Sequence, residues 1–128
     1  MTAPRIDGQG NHGAAAISNA MTKLHRERYG RGPNSVRTVV GHDHVICFLE
    51  DIYTPAEQTL LEAGEAGAVI EMRLAFQRAM QSPFTEMVES ITGRKVRAFL
   101  SQTHIDPDIS CEIFVLDPSG AAVPEGVG

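Results

Sequence analysis

Two pairs of strand-like runs bracket a helical middle, and this pattern constrains the chain more than any other feature. Residues 35–40 (SVRTVV) and 44–50 (HVICFLE) are separated by Gly41-His42-Asp43. Residues 95–102 (KVRAFLSQ) and 109–117 (ISCEIFVLD) are separated by a stretch holding Ile105-Asp106-Pro107-Asp108. Each pair reads as a β-hairpin of β-branched and apolar runs around a short tip; in the second, Pro107 presets φ and Asp closes local hydrogen bonds. A lone hairpin is marginal in water, so the two are expected to join into one four-stranded antiparallel sheet backed by helices.

The helical segments follow from 3.6-residue spacing and from stop signals. A first helix over about 12–29 places Ile17, Ala20, Met21, Leu24 and Arg28 on one face and stops at Gly30. A second opens on Thr54-Pro55-Ala56-Glu57, a capping box with Pro at the first helical position, and ends at Gly64. A third runs over about 66–81. Ser82-Pro83 kinks or restarts the chain, and a fourth carries Phe84, Met87, Val88 and Ile91 up to Gly93. The order is therefore α-ββ-ααα-ββ, an α+β fold. A helix-plus-hairpin duplication would explain why Tyr29-Gly30-Arg31 followed by Val36-Arg37 is echoed by Thr92-Gly93-Arg94 followed by Val96-Arg97.

At 128 residues the chain is sized for one domain, expected over residues 11–118, with residues 1–10 and 119–128 as loose Gly- and Pro-containing tails. The formal net charge of −5 argues against nucleic-acid backbones as partners, because like charges repel. No apolar stretch approaches the ~20 residues of a membrane span, so direct insertion is not expected and a cytoplasmic location is. Cys47 and Cys111 lie in apolar runs without C-x-x-C or zinc spacing and read as two buried thiols in a reducing compartment.

Strict alternation along the strands sorts side chains onto two faces. Val96, Ala98 and Leu100, with Ile109, Cys111, Ile113 and Val115, are expected in the core. Arg37, Val39, Phe48, Glu50, Arg97, Phe99, Ser101, Ser110, Glu112, Phe114 and Leu116 are expected on a face the helices leave open. A face that apolar calls for a partner. A homodimer, sheet to sheet or edge to edge, is the expected cover, with Phe48, Phe99 and Phe114 at its interface; coverage by the long middle helices is the alternative.

Three groups of residues invite chemistry. His42 and His44 share a side of an extended chain, and His104, Asp106 and Asp108 occupy the other hairpin tip; a metal-dependent or small-molecule enzyme would follow if the tips met. Arg31, Arg37, Arg73, Arg94 and Arg97 could form a pocket for a small anion such as bicarbonate, a carboxylate or phosphate, since Arg31 and Arg94 both follow helix-ending glycines. Ser101-Gln102-Thr103-His104 lacks a nucleophile-elbow context and reads as strand-end polarity. Glu57 reads as a helix cap. No P-loop or dinucleotide fingerprint occurs, no cofactor is expected, and no catalytic residue is assigned.

Taken in order, Tyr29-Gly30-Arg31-Gly32-Pro33, Leu49-Glu50, Thr54-Pro55-Ala56-Glu57, Gly64, Arg73, residues 89–96 (ESITGRKV) and Ser101-Gln102-Thr103-His104 resemble the MpsC-like family over about residues 14–117. The resemblance implies a component of a sodium-translocating, membrane-potential-generating system, linked to cation flux or bicarbonate uptake, with membrane-protein partners and no transferable catalytic residues. On that basis the chain is expected to be a non-catalytic accessory or regulatory subunit that senses a small anion. A purely structural interaction module is the alternative besides the enzyme.

Overall fold

A computed structural model describes residues 13–118; both expected tails lie outside the described residues. Helix α1 spans Ala14–Tyr29 and ends on Gly30, whose φ of 94° only glycine adopts without strain. Strands β1 (Ser35–Val40) and β2 (His44–Glu50) form the first hairpin. Helix α2 spans Pro55–Glu62 with its capping box formed: Thr54 Oγ1 accepts from the Glu57 N–H, and the Glu57 carboxylate accepts from the Thr54 N–H. Helix α3 covers Ala66–Thr92, and strands β3 (Val96–His104) and β4 (Ile109–Leu116) form the second hairpin.

The sheet is antiparallel throughout, in the order β1-β2-β4-β3, so the two returning strands pair at its centre. Each hairpin thus contributes one edge and one inner strand, an arrangement with the approximate twofold character that the sequence echo suggests. The one departure from the expected order is α3. Two predicted helices are a single 27-residue helix with Pro83 inside it. Proline removes one backbone bond and crowds the preceding turn, yet Met80, Phe84 and Val88 are all buried on one stripe that runs through it. Core packing on both sides of Pro83 keeps the helix continuous.

The helices lie against one face of the sheet. Ile17 and Met21 of α1, Met80, Phe84 and Val88 of α3, Val45, Cys47 and Leu49 of β2, and Phe114 and Leu116 of β4 make one buried cluster, with Val36, Val40, Val96 and Phe99 packed at its margin. The assignment of faces in the second hairpin is corrected by this cluster. Ser110, Glu112, Phe114 and Leu116 are buried under the helices, whereas Ile109, Cys111, Ile113 and Val115 are only half-buried on the open side. Phe99 and Phe114 therefore sit in the core, in ring contact with each other and, through Phe99, with Phe84, and are not interface residues. Phe48 does lie on the open face, under the guanidinium of Arg37 at 4.4 Å.

Two physical reasons account for the reversal. Val96 pairs with Leu116 but Ala98 pairs with Val115, so an irregularity at Arg97 shifts the alternation: Val96 faces the helices while Ala98 and Leu100 face outward. β4 also carries Ile109, Cys111, Ile113 and Val115 on one face and Phe114 and Leu116, with Ser110 and Glu112, on the other; the helices pack on Phe114 and Leu116, so counting apolar residues along the strand picks the wrong face.

Candidate functional site

The polar residues of the domain converge where β2 ends, β4 begins and α1 meets α2. The capping box fixes the first turn of α2 and buries Glu57 completely. Four residues into the second turn of α3, past the buried Val69, Arg73 points at it and is itself only 3% exposed. Arg73 Nε donates to Glu57 Oε2 at 3.0 Å and Nη2 to Oε1 at 3.1 Å, the two-pronged match of a planar guanidinium with a carboxylate. Nη1 donates to Asp108 Oδ1 and to Thr103 Oγ1, both at 3.2 Å.

Asp108, in the second hairpin, completes the junction: its Oδ2 accepts from the backbone N–H of Ile52 at 2.7 Å and of Tyr53 at 2.8 Å. The Tyr29 hydroxyl donates to Glu57, the Tyr53 hydroxyl to the Ile105 carbonyl, and Arg31 to the Tyr53 carbonyl. The Arg73 guanidinium lies 4.7 Å from the Tyr53 ring centre. Asn34 Nδ2 donates to Asp51, which holds a φ of 60° that Asp tolerates better than most residues. The web ties α1, the β2–α2 connection, α3 and the second hairpin together.

The charges in this web are mutually supported. Burial alone would raise the Glu57 pKa, but the hydrogen bonds from Arg73 and then Tyr29 more than reverse it and hold the carboxyl below its ordinary range. Burial would likewise discharge Arg73; the bonds to Glu57 and the charges of Glu57 and Asp108 instead hold it firmly cationic. Burial, and donation to Glu57, push the Tyr29 hydroxyl up. His25, on the adjacent turn of α1, has its pKa lowered by burial, so it sits as a neutral ring with Nδ1 3.1 Å from the Arg31 carbonyl oxygen.

Glu112, one layer deeper, is treated differently. It is 4% exposed, lies beneath the helices, and its Oε1 has no hydrogen-bond partner among the described residues. Ser101 stands opposite it in register, and the Ser101 hydroxyl is also without a partner. Burial pushes the Glu112 carboxyl up to about 7. A cavity of only about 10 Å3 separates Glu112 from Arg73, lined also by His25, Gln77 and Ser110, which is room for about one water molecule. A larger, shallow groove of about 700 Å3 lies on the other side of Tyr29 and Phe76, between α2 and α3, with Arg28 at its rim and Met72 and Ala75 in its wall.

The structure places the sequence candidates as follows. His44 pairs with Val115, while His104 pairs with Ile109, which in turn pairs with Glu50 at the far end of β2. Six residues of strand separate those ends, about 20 Å, so the hairpin tips do not meet and His42 and His44 do not join His104 and Asp106. Among the described residues no group of three or more His, Cys, Asp or Glu is disposed to hold a metal. His44 contacts Asp43 instead, and His104 Nδ1 lies 2.8 Å from the Pro107 carbonyl oxygen.

The arginines do not converge on one pocket either. Arg31 and Arg73 meet at Tyr53. Arg94 belongs to the opposite end, donating to the carbonyls of His42 at 2.8 Å and Asp117 at 2.7 Å. Arg37 lies on the open face, and Arg97 is exposed at the strand irregularity. Sequence reasoning passed over Glu57 beyond its cap role, Tyr29, Tyr53, His25 and Glu112, and took Asp108 only as a hairpin-tip metal candidate. For Glu112 a signal was present: a lone charge between Cys111 and Ile113 in an otherwise apolar run.

The model of one protein family, described as Na+-translocating membrane potential-generating system (MpsC), matches residues 11–118. The chain is also 29% identical over 86 residues to the uncharacterized protein YbcI of Bacillus subtilis (strain 168), covering 65% of this chain and 68% of that protein. No solved structure matches.

Proposed function

The chain belongs to the MpsC family, and on that premise we propose that it is a non-catalytic accessory or regulatory subunit of the membrane-potential-generating system for which the family is named. It works as a homodimer on the cytoplasmic side and binds a membrane-protein partner. One observation carries this reading: the buried polar groups of the Arg73 junction are consumed internally while a broad apolar sheet face is left clear of the helices. Arg73 engages four of a guanidinium's five N–H donors with Glu57, Asp108 and Thr103. Arg31 and Arg94 are committed to backbone carbonyls. Such a core holds a shape, and the shape offers surface for protein contacts. No helix among the described residues is long and apolar enough to cross a membrane, so attachment to the membrane would run through the partner.

The small-anion part of the reading has less support. An anion at Arg73 would have to displace Glu57 or Asp108, and nothing is gained by exchanging one carboxylate for another. Thermal melting with and without bicarbonate or phosphate checks it; an unchanged Tm in both removes the anion from the proposal.

The subunit reading is tested by tagging the chain in its own cell, cross-linking, and identifying proteins recovered from the membrane fraction. The expected result is an integral membrane protein with a cation-translocating sequence, recovered in near-stoichiometric amount. Recovery no greater than from an untagged control overturns it.

A further inference from the structure

The open face of the sheet has the anatomy of an interface. Across the four strands one row reads Val39–Ile46–Ile113–Leu100, and the next reads Arg37–Phe48–Cys111–Gln102. The inner strand β4 adds Ile109 and Val115 on the same face. Polar side chains are confined to the edge strands and the ends: Arg37, Gln102, Ser35 and His104 at the sides, Glu50 and His44 at the ends of β2. An apolar centre within a polar rim is how specific protein interfaces are built. Leu100 is 54% exposed and Val39 36%, an arrangement that water disfavours on an isolated domain.

We infer that this face is the surface through which two copies of the chain pair, sheet against sheet; the inference rests on the homodimer in the reading above and assigns its contact surface. A twofold interface must be complementary to itself. Turned about an axis that runs along the strands between β2 and β4, the apolar row lies over its own reversal. Val39 then faces Leu100 of the second copy, Ile46 faces its Ile113, and Phe48 faces its Cys111. In the same arrangement Arg37 meets Gln102, polar on polar at the rim.

The dimensions fit a second copy. Four strands are about 19 Å wide, and seven residues of strand are about 23 Å long, so two copies cover about 900 Å2 of flat area before side-chain relief is counted. Specific interfaces begin at about 1,200 Å2 of accessible surface in total. The whole face is therefore needed, which a second sheet of equal size supplies and a single added strand or peptide does not.

The protein carries its own reporter. Cys47 is fully buried in the core, whereas Cys111 lies on the open face. Facing sheets pack about 10 Å apart, which brings the two Cys111 side chains within reach of a short bismaleimide. The experiment is light-scattering mass determination across a protein dilution series, with maleimide alkylation and bismaleimide cross-linking of the unmodified chain. A dimer is expected, with Cys111 alkylated several-fold more slowly at high than at low concentration, and cross-linked as a pair. Leu100→Glu should yield a monomer with fast Cys111 alkylation; Leu100→Ser, which adds no charge, guards against a folding defect and should weaken the dimer less. A dimer that survives Leu100→Glu with Cys111 freely alkylated overturns the surface and leaves the homodimer standing. A monomer at every concentration overturns both.

Discussion

Two buried carboxylates in one domain meet opposite fates. Glu57 enters the interior with a full set of partners: Arg73 on both oxygens, the Tyr29 hydroxyl and the Thr54 N–H. Glu112 enters beneath the same helices with one oxygen unpartnered, opposite a serine hydroxyl that is unpartnered as well. Burial costs both groups, but only at Glu57 is the ionised form stabilised enough to offset it. The difference teaches that the polar junction is a fastening, whereas Glu112 is a cost the fold carries.

The comparison breaks most visibly at Arg73. Arg73→Met leaves Glu57 and Asp108 as buried charges without their cation, and the loss of stability should reach about 3–5 kcal/mol. Urea unfolding at pH 7 checks it; a loss below about 1 kcal/mol would mean that Glu57 finds water or another donor and that the junction is no fastening.

Glu112 should answer in the opposite direction. Its folded pKa of about 7 lies above the ordinary 4.5, so the folded state holds its proton longer than the unfolded chain. The resulting penalty is absent below pH 4.5, grows as pH rises toward 7, and is complete above 7. Glu112→Gln should therefore be more stable than the unaltered chain at pH 8, by up to about 3 kcal/mol, with the advantage vanishing near pH 4.5. Glu57, whose pKa is lowered, contributes stability that is present above 4.5 and lost as pH falls through its folded value. His25, also lowered, contributes stability present above 6.5 and lost as pH falls below it. Both are common to the two proteins and cancel in the difference. A variant no more stable at pH 8 than at pH 5, relative to the unaltered chain, would place the Glu112 charge in water.

The smallest expected effect sharpens the Glu57 side. Thr54→Ala removes one half of the capping box but leaves the Arg73 fork in place, and should cost about 1 kcal/mol. A cost near that of Arg73→Met would show that the cap, and not the arginine, holds Glu57 in position. The urea midpoint at constant m-value distinguishes the two.

Much of the fold was legible in the chain because it rests on local signals. The capping box at Thr54-Pro55-Ala56-Glu57, the glycine stops at Gly30 and Gly93, and the strand runs of both hairpins appear where their residue types place them. Pro83 misled for the same reason: its local effect is real, and burial of Met80, Phe84 and Val88 overrides it. The site was much less legible. Glu57, Arg73 and Asp108 are 16 and 35 residues apart in pairs, and each alone has an ordinary surface explanation.

What the sequence determined by itself was which segments are helix and which are strand, and that two hairpins must share one sheet. Periodicity, capping and the marginal stability of a lone hairpin suffice for these, since each is a short-range property of the chain. Tertiary structure alone decided which face the helices cover, because they pack on Phe114 and Leu116 despite Ser110 and Glu112 beside them, and one irregularity at Arg97 moves Ala98 and Leu100 outward. It also decided that the hairpin tips point to opposite ends, because β2 and β4 pair antiparallel at the centre of the sheet. Those choices depend on how whole surfaces fit together, and no local run of residues encodes that fit.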